Sequence, residues 1–558
     1  MRVRNENKAI SVHAIAGANV VLLGMDATRK AAKGLLGFAI YRKDHTEKEW
    51  YWLKGFKTFE ATYPYPPAGM LVSTQEHPVQ GFLWGDYTAK PDHKYTYQIT
   101  PMYGQPKALK PGRPVSVRIS TEAEDTGQHA VFFNRGVAAS QAYALKFNNE
   151  PPILIDPQTK EEKRNEEALT WLSRGLKEAM LKFIHQANGK RYSLRAAVYE
   201  FNYIPALKAF AEMAKKGADV KIIYDARGKE PDAKPRAASD QAIEKTFLRK
   251  LMIPRTKNPS YISHNKFIVL LKDGKPTQVW TGSTNFTDGG LFGQSNVGHI
   301  VRDPQVAQAY LDYWNRLEKD PDAKGLRLDN IRATPDLTAL PPASGITTIF
   351  SPRTELAMLE WYVRAMDSAR QCICFTAAFG INAKFDSVLN QNKNYLRYLL
   401  LEKPGKRVEG RTDYRDNPDN IVASGSLIQN DPSGRWLAEK LTGLNEHVKY
   451  IHTKYMLIDP LGKDPIVISG SANFSDASTK NNDENMLIIR GNPQAADIYL
   501  GEFMRLFSHY YFRRHQERQQ AQPDSETYQS IYLEPDDSWT KAYYQSGSTR
   551  EKERLLFR

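Results

Sequence analysis

The feature that most constrains this chain is a short pattern of chemically distinctive residues repeated at one fixed spacing. SHNKFIVLL is followed by TGSTNFTDGGLFGQSNV, and much later IHTKYMLID is followed by SGSANFSDASTKNNDEN. His452, Lys454, Ser471 and Asn473 each stand 188 positions after His264, Lys266, Ser283 and Asn285. A lone HxK or GSxN arises often by chance, but both together, twice and in register, mark an internal duplication. QAYLDYWNRL after the first copy is echoed by DIYLGEFMRLF after the second. Two similar halves are therefore expected, joined by the Pro/Asp/Ala-rich connector DPDAKGLRLDNIRATPDLTALPPASG.

Around each copy, strand and helix patterns alternate. EEALTWLSRGLKEAMLKFIHQA, from Glu166, has apolar residues at helical spacing and LRAAVYEF follows as a strand. IPALKAFAEMAKKG reads as a second helix stopped by Gly217, and DVKIIYDAR as a second strand. TELAMLEWYVRAMDSAR and QCICFTAAF restart the same order. This βαβ grammar predicts a largely parallel sheet covered by helices in each half. The expected halves span residues 128–325 and 345–515. Residues 516–558, polar and tyrosine-rich with few helical signals, are expected to pack on the core.

Residues 1–120 differ. GFAIYRKD, YWLKGFKTF and VQGFLWGDY cluster or alternate apolar residues over strand lengths between turns. In KPDHKYTYQITPMYG, Pro91, Tyr95, Tyr97 and Ile99 resemble the tyrosine-corner strand of fibronectin type III-like sandwiches. The module carries 17 Lys and Arg against 9 Asp and Glu, which suits an accessory binding surface as well as a spacer.

Composition narrows the class. The 558 residues are 41% hydrophobic and 25% charged, the balance of a folded globular protein, and the formal net charge of +14 favours a polyanionic partner. Cys372 and Cys374 stand too close along one strand for an ordinary bridge and read as small buried hydrophobes. The longest early apolar run, Val20–Leu23, is far short of a membrane span, and MRVRNENKAISVHA lacks a signal-peptide core. A cytoplasmic location is the expectation.

Each copy offers an imidazole, an ammonium, a hydroxyl and a carboxamide. HxK within an apolar run puts His and Lys on one face of a strand, and the GSxN turn brings backbone N–H groups to the same end. Two Lys and two Asn can hold the non-bridging oxygens of one phosphate. Of two imidazoles, one can attack phosphorus while the other protonates the leaving oxygen. No motif has the Asp, Glu and His density of a two-metal phosphodiesterase, so neither metal nor cofactor is expected.

The doubled HxK…GSxN pattern resembles the phospholipase D superfamily over about residues 128–515. The resemblance implies an α/β fold of two similar phospholipase D-like halves packed face to face, preceded by the small β-sandwich. It also implies a metal-independent phosphodiesterase working through phosphohistidine. By that likeness His264 and His452 are the catalytic pair, and Lys266, Lys454, Asn285 and Asn473 grip the phosphate. Ser283 and Ser471 shape the turns against the substrate. Both motifs lie in one chain, so a monomer can complete the site.

Two departures stand out. Asp459 follows Lys454 by five residues, whereas Leu271 holds the matching place in the first copy and Asp273 comes two residues later. The imidazole-orienting group of the family, 32 residues after each histidine, is Asn296 in the first copy and Glu484 in the second. With each group read as serving its own half, Glu484 would favour a protonated His452. That agrees with family order, which makes His264 the nucleophile and His452 the general acid. Tyr199, Glu200, Phe201 and Phe379 suit a cleft wall or the core equally. Among the family's substrates, the charge and the mean hydropathy of −0.57 favour nucleic acid. Phospholipid, through a phospholipase D or phosphatidyl transferase activity, is the alternative, and a non-catalytic phosphate-binding scaffold the second. An apolar rim around the cleft would mark the lipid enzyme, and a basic trough the nuclease.

Overall fold

The computed structural model describes the chain apart from residues 137–139, 160, 228–232, 258–260, 335–336, 338, 340, 342–343, 404, 406, 408–411, 430, 432–433, 446–447 and 522–531. Strand-forming runs cut by turns make up the N-terminal region. Its principal strands are β1 (Arg2–Glu6), β2 (Ile10–Ala16), β3 (Val21–Ala27), β4 (Gly37–Asp44), β5 (Glu49–Trp52), β6 (Leu83–Asp86), β7 (Lys94–Gln105), β8 (Ala108–Pro111) and β9 (Val115–Ser120). One antiparallel sheet runs β1-β2-β3-β6; the other runs β8-β7-β4-β5, with β9 also on β7. Alternation along β9 buries Val115, Val117 and Ile119 and exposes Ser116 and Arg118. Its buried side joins Val12, Leu23, Tyr95 and Tyr97 in a shared core, and the Tyr95 hydroxyl accepts the Lys90 N–H at 2.9 Å. This is a small β-sandwich.

The first half comprises β10 (His129–Phe133), α1 (Glu166–Ser173), α2 (Leu176–His185), β11 (Tyr192–Val198), α3 (Ile204–Lys215), β12 (Asp219–Asp225), β13 (Met252–Arg255), β14 (Lys266–Lys272), β15 (Lys275–Gly282), β16 (Val297–Val301) and α4 (Pro304–Glu318). After α5 (Ala323–Ala333) the second half runs β17 (Gly345–Ser351), α6 (Ala357–Asp367), β18 (Cys372–Ala377), β19 (Leu396–Leu401), β20 (Asn420–Ser424), β21 (Tyr455–Ile458), β22 (Ile466–Gly470), β23 (Glu484–Arg490) and α7 (Pro493–Ala521). The first sheet has the order β10-β16-β15-β14-β11-β12-β13 and the second β17-β23-β22-β21-β18-β19-β20. They match strand for strand, as a duplication requires. Cys372 and Cys374 lie buried with free thiols on β18.

Three expectations need correction. The sheets are mixed, not largely parallel. Only β11-β12-β13 and β18-β19-β20 run parallel, because each HxK strand turns straight back into its neighbour and a tight hairpin forces antiparallel pairing. The helix predicted from Glu166 breaks after Ser173, where Arg174 and Gly175 adopt φ of 46° and 89°. The C-terminal segment holds the helix α8 (Thr549–Phe557), started by a Ser548 hydroxyl that accepts the Glu551 N–H. Arg554 on α8 pairs with Asp26 of the sandwich at 2.5 Å and Lys552 with Asp419 of the second half at 2.5 Å. Among the described residues no helix is long and apolar enough to cross a membrane.

Candidate active site

The two halves meet through two short parallel bridges, Ser263 with Asp483 and Ser295 with Ile451. Shifting one bridge by 188 positions gives the other, so the contact has the two-fold character of the duplication. The Ser295 N–H donates to the Tyr450 carbonyl at 2.8 Å, His452 N–H to the Ser295 carbonyl at 3.2 Å, and Asp483 N–H to the Ile262 carbonyl at 3.1 Å. These bridges bring the residue after each partner, Asn296 or Glu484, against the histidine of the opposite half.

The consequence reverses the orienting pairs expected from sequence. Glu484 engages His264, with its carboxylate oxygens 2.9 and 3.0 Å from Nδ1. Asn296 engages His452, with Oδ1 2.8 Å from Nδ1. Asn296 Nδ2 donates to the Gly290 carbonyl at 2.8 Å and Oδ1 also accepts the Ser283 hydroxyl at 2.8 Å. Its oxygen therefore faces the ring, His452 carries its proton on Nδ1, and Nε2 is left for a substrate. Glu484 is held likewise by the hydroxyls of Ser471 at 2.7 Å and Ser478 at 2.9 Å. Ser283 and Ser471, expected to face substrate, thus spend their hydroxyls fixing the groups that aim the imidazoles.

Both lysines turn back on their own motifs, Lys266 Nζ donating to the His264 carbonyl at 2.6 Å and Lys454 Nζ to the His452 carbonyl at 2.5 Å. His264, Lys266, His452 and Lys454 are all buried. Burial, then the two neighbouring ammonium groups, push both imidazoles well below their usual pKa. Burial also drives Lys266 down to about 7 and Lys454 well down, and lifts the Glu484 carboxyl to about 7. Asn285 donates to Glu200 at 2.6 Å. The amide oxygens of Asn285 and Asn473 are buried without a hydrogen-bond partner.

Of the residues read as cleft wall or core, Tyr199 stands at the site, its ring meeting His264 edge-on at 5.1 Å and lying 5.3 Å from the Lys266 ammonium. Arg227, Asp225 and Glu402 were not singled out from sequence. Arg227, buried beyond β12, is held by Asp225 with both contacts at 3.0 Å, and its charge also depresses His264. Burial lifts Asp225 to about 6, although it also accepts the Ser263 N–H. Glu402 at the matching end of β19 accepts the Ile451 N–H at 2.7 Å. A carboxylate just past a parallel strand was the available signal, since such strand ends are where α/β sheets place ligands. Asp459 lies apart from this cluster, accepting the N–H groups of Arg370, Gln371 and Cys372 at 2.9, 2.7 and 3.0 Å, while Asp273 pairs with Arg191. At the end of β18, Phe379 is 62% exposed and Phe201, after β11, is buried.

The family model described as cardiolipin synthase, PLD-like domain, matches residues 180–318 and 415–507, one stretch in each half. Nuc, a phospholipase D family member from Salmonella typhimurium, is 27% identical over 25% of this chain and 84% of its own, with a TM-score of 0.21. Phosphatidylserine synthase of Haemophilus influenzae Rd KW20 is 14% identical over 61% of this chain and 85% of its own, with a TM-score of 0.41. Yeast tyrosyl-DNA phosphodiesterase is 12% identical over 57% of this chain and 88% of its own, with a TM-score of 0.32. No curated protein sequence matches the chain. Each α/β half thus carries a stretch similar to that PLD-like family model, and the halves follow a strand-rich N-terminal domain.

Proposed function

We propose that this chain is a metal-independent phosphodiesterase that works through a phosphohistidine intermediate. The observation that carries the reading is the exchanged pair of orienting groups, which fixes both imidazoles at one interface beside two buried lysines. Buried cations are costly unless an anion answers them, and a phosphate between Lys266 and Lys454 would restore their charge. Arg227 adds a third cation beside His264.

In the first step the Nε2 lone pair of His264 attacks phosphorus and the bond to the leaving oxygen breaks. For this step His452 must be protonated on Nε2 as well as Nδ1, and it gives the Nε2 proton to that oxygen. In the second step His452 takes a proton from water, the resulting hydroxyl attacks phosphorus, and the N–P bond returns its electrons to His264. Phosphorylation leaves a positive ring on His264, and Glu484 on Nδ1 stabilises it. An amide behind His452 leaves that ring the stronger acid when protonated. His264 therefore remains the nucleophile, for the opposite electrostatic reason to the one read from sequence.

Nucleic acid is the substrate this reading takes, supported by the net charge of +14. The exposed Phe379 and the cardiolipin synthase description of the matching family model favour a second reading, transfer at phospholipid headgroups. The test is purified protein in millimolar EDTA given labelled DNA, RNA and phosphatidylcholine in parallel. Cleavage of a nucleic acid with chelator present is expected. Turnover of phosphatidylcholine alone would move the assignment to the second reading, and activity lost to chelator and restored by a divalent ion would refute the mechanism.

A further inference from the structure

The outward face of the larger sheet of the N-terminal sandwich carries side chains that a solvated sheet face normally lacks. Strand register places them. Trp50 on β5 stands opposite Lys43 on β4, Lys43 opposite Thr96 on β7, and Thr96 opposite Arg118 on β9. Two residues further along, Trp52 stands opposite Tyr41, and Tyr41 opposite Gln98. Side chains alternate across a strand, so these two rows share one face while Arg42, between them, turns inward to Asp86. Trp50 is 58% exposed, Lys43 and Arg118 are exposed, and Tyr41 and Trp52 are half-buried. The Lys43 ammonium lies 5.9 Å from the Trp50 ring, and Tyr41 and Trp52 meet edge-on at 5.1 Å.

The solvent face of an antiparallel sheet is ordinarily polar, whereas here Trp50 leaves more than half of its area in water and Tyr41 and Trp52 are only partly covered beside it. With strands about 4.8 Å apart, the row from Trp50 to Arg118 extends about 14 Å, aromatic at one end and cationic at the other. A flat ring accepts a base by stacking and a neighbouring cation holds its phosphate, the two parts of sequence-tolerant recognition of a single strand. The charge of the module agrees, with 17 Lys and Arg against 9 Asp and Glu in residues 1–120.

We infer that this sheet face binds single-stranded nucleic acid through stacking on Trp50, Trp52 and Tyr41 and phosphate contacts to Lys43 and Arg118. The surface lies outside the histidine site, so binding here and hydrolysis there can fail separately.

The experiment is fluorescence anisotropy of a labelled 12-nucleotide single strand with the full chain carrying His264→Ala to prevent turnover. Adding Trp50→Ala and Trp52→Ala is expected to weaken binding on the order of 10–100-fold. Lys43→Glu with Arg118→Glu should weaken it and lower the salt dependence by about two phosphate contacts. In the otherwise native chain, hydrolysis of bis(p-nitrophenyl) phosphate and the melting temperature should stay unchanged. If the tryptophan variant melts early, the charge reversals decide. Unchanged titration curves in both variants would overturn the inference. So would retention of the wild-type chain, but not the tryptophan variant, on a neutral polysaccharide with no binding to the strand.

Discussion

Glu484→Gln separates the two histidine roles. In the structure the carboxylate serves His264, so the substitution weakens the stabilisation of the positive ring formed as Nε2 attacks phosphorus. Glutamine keeps an acceptor for Nδ1–H and the tautomer stays. What is lost is the difference between a charge-assisted bond, about 1.5–3 kcal/mol, and a neutral one, about 0.5–1.5 kcal/mol. That difference of about 1–2 kcal/mol lowers the rate of attack about 5–30-fold, with the upper end favoured because Glu484 is buried. The loss should be equal for bis(p-nitrophenyl) phosphate and for an unactivated phosphodiester, since attack is common to both. Asn296→Ala should behave differently. It releases His452, so it should slow the unactivated substrate and nearly spare the activated one, whose leaving group needs little protonation. The assay is kcat/KM for both substrates in both variants, with acid-quenched mass spectrometry to locate the phosphoryl adduct. If Glu484→Gln spared the activated substrate while Asn296→Ala slowed it, and the adduct lay on His452, the roles would be reversed and the argument from the exchanged pairs refuted.

Lys266→Ala or Lys454→Ala should lower kcat on the order of 10²–10³-fold, as removal of an oxyanion donor does, and a variant retaining half of native activity would contradict the proposed phosphate cage. Glu484, lifted from its ordinary value to about 7 by burial, makes stability depend on pH. Between about pH 4.5 and 7 the folded chain holds a proton that the unfolded chain releases, so this contribution is full below that window and lost as pH rises through it. The melting temperature of Glu484→Gln minus that of the native chain should therefore rise across the window, and parallel curves would reject the shift. A Cβ at Gly24 would collide with the backbone carbonyl of Phe557. Gly24→Ala should accordingly displace α8, lower the melting temperature and speed proteolysis after residue 532 while leaving the histidine site active, and an unchanged digestion pattern would show that α8 does not rest there.

Repetition carries farther in sequence than contact does. His264, Lys266, His452 and Lys454 were legible because a duplication preserves local spacing, and local spacing sets which residues share a strand or a turn. The strand cores were legible for the same reason, and so in outline was the N-terminal sandwich. The Ser548–Glu551 cap was equally local, but it sat in a polar segment without the apolar period that usually identifies a helix. Which half orients which imidazole was beyond local reading. Asn296 and Glu484 stand at the same distance after their own histidines, and nothing in that distance says that the halves meet by bridging Ser295 to Ile451 and Ser263 to Asp483. Glu200's link to Asn285 and Arg227's place beside His264 were hidden likewise, because both depend on groups brought near by folding. A side chain's identity and its place on an element follow from its neighbours in the chain, whereas its proton and its charge are set by groups arriving from the other half, and only the packed interface brings them together.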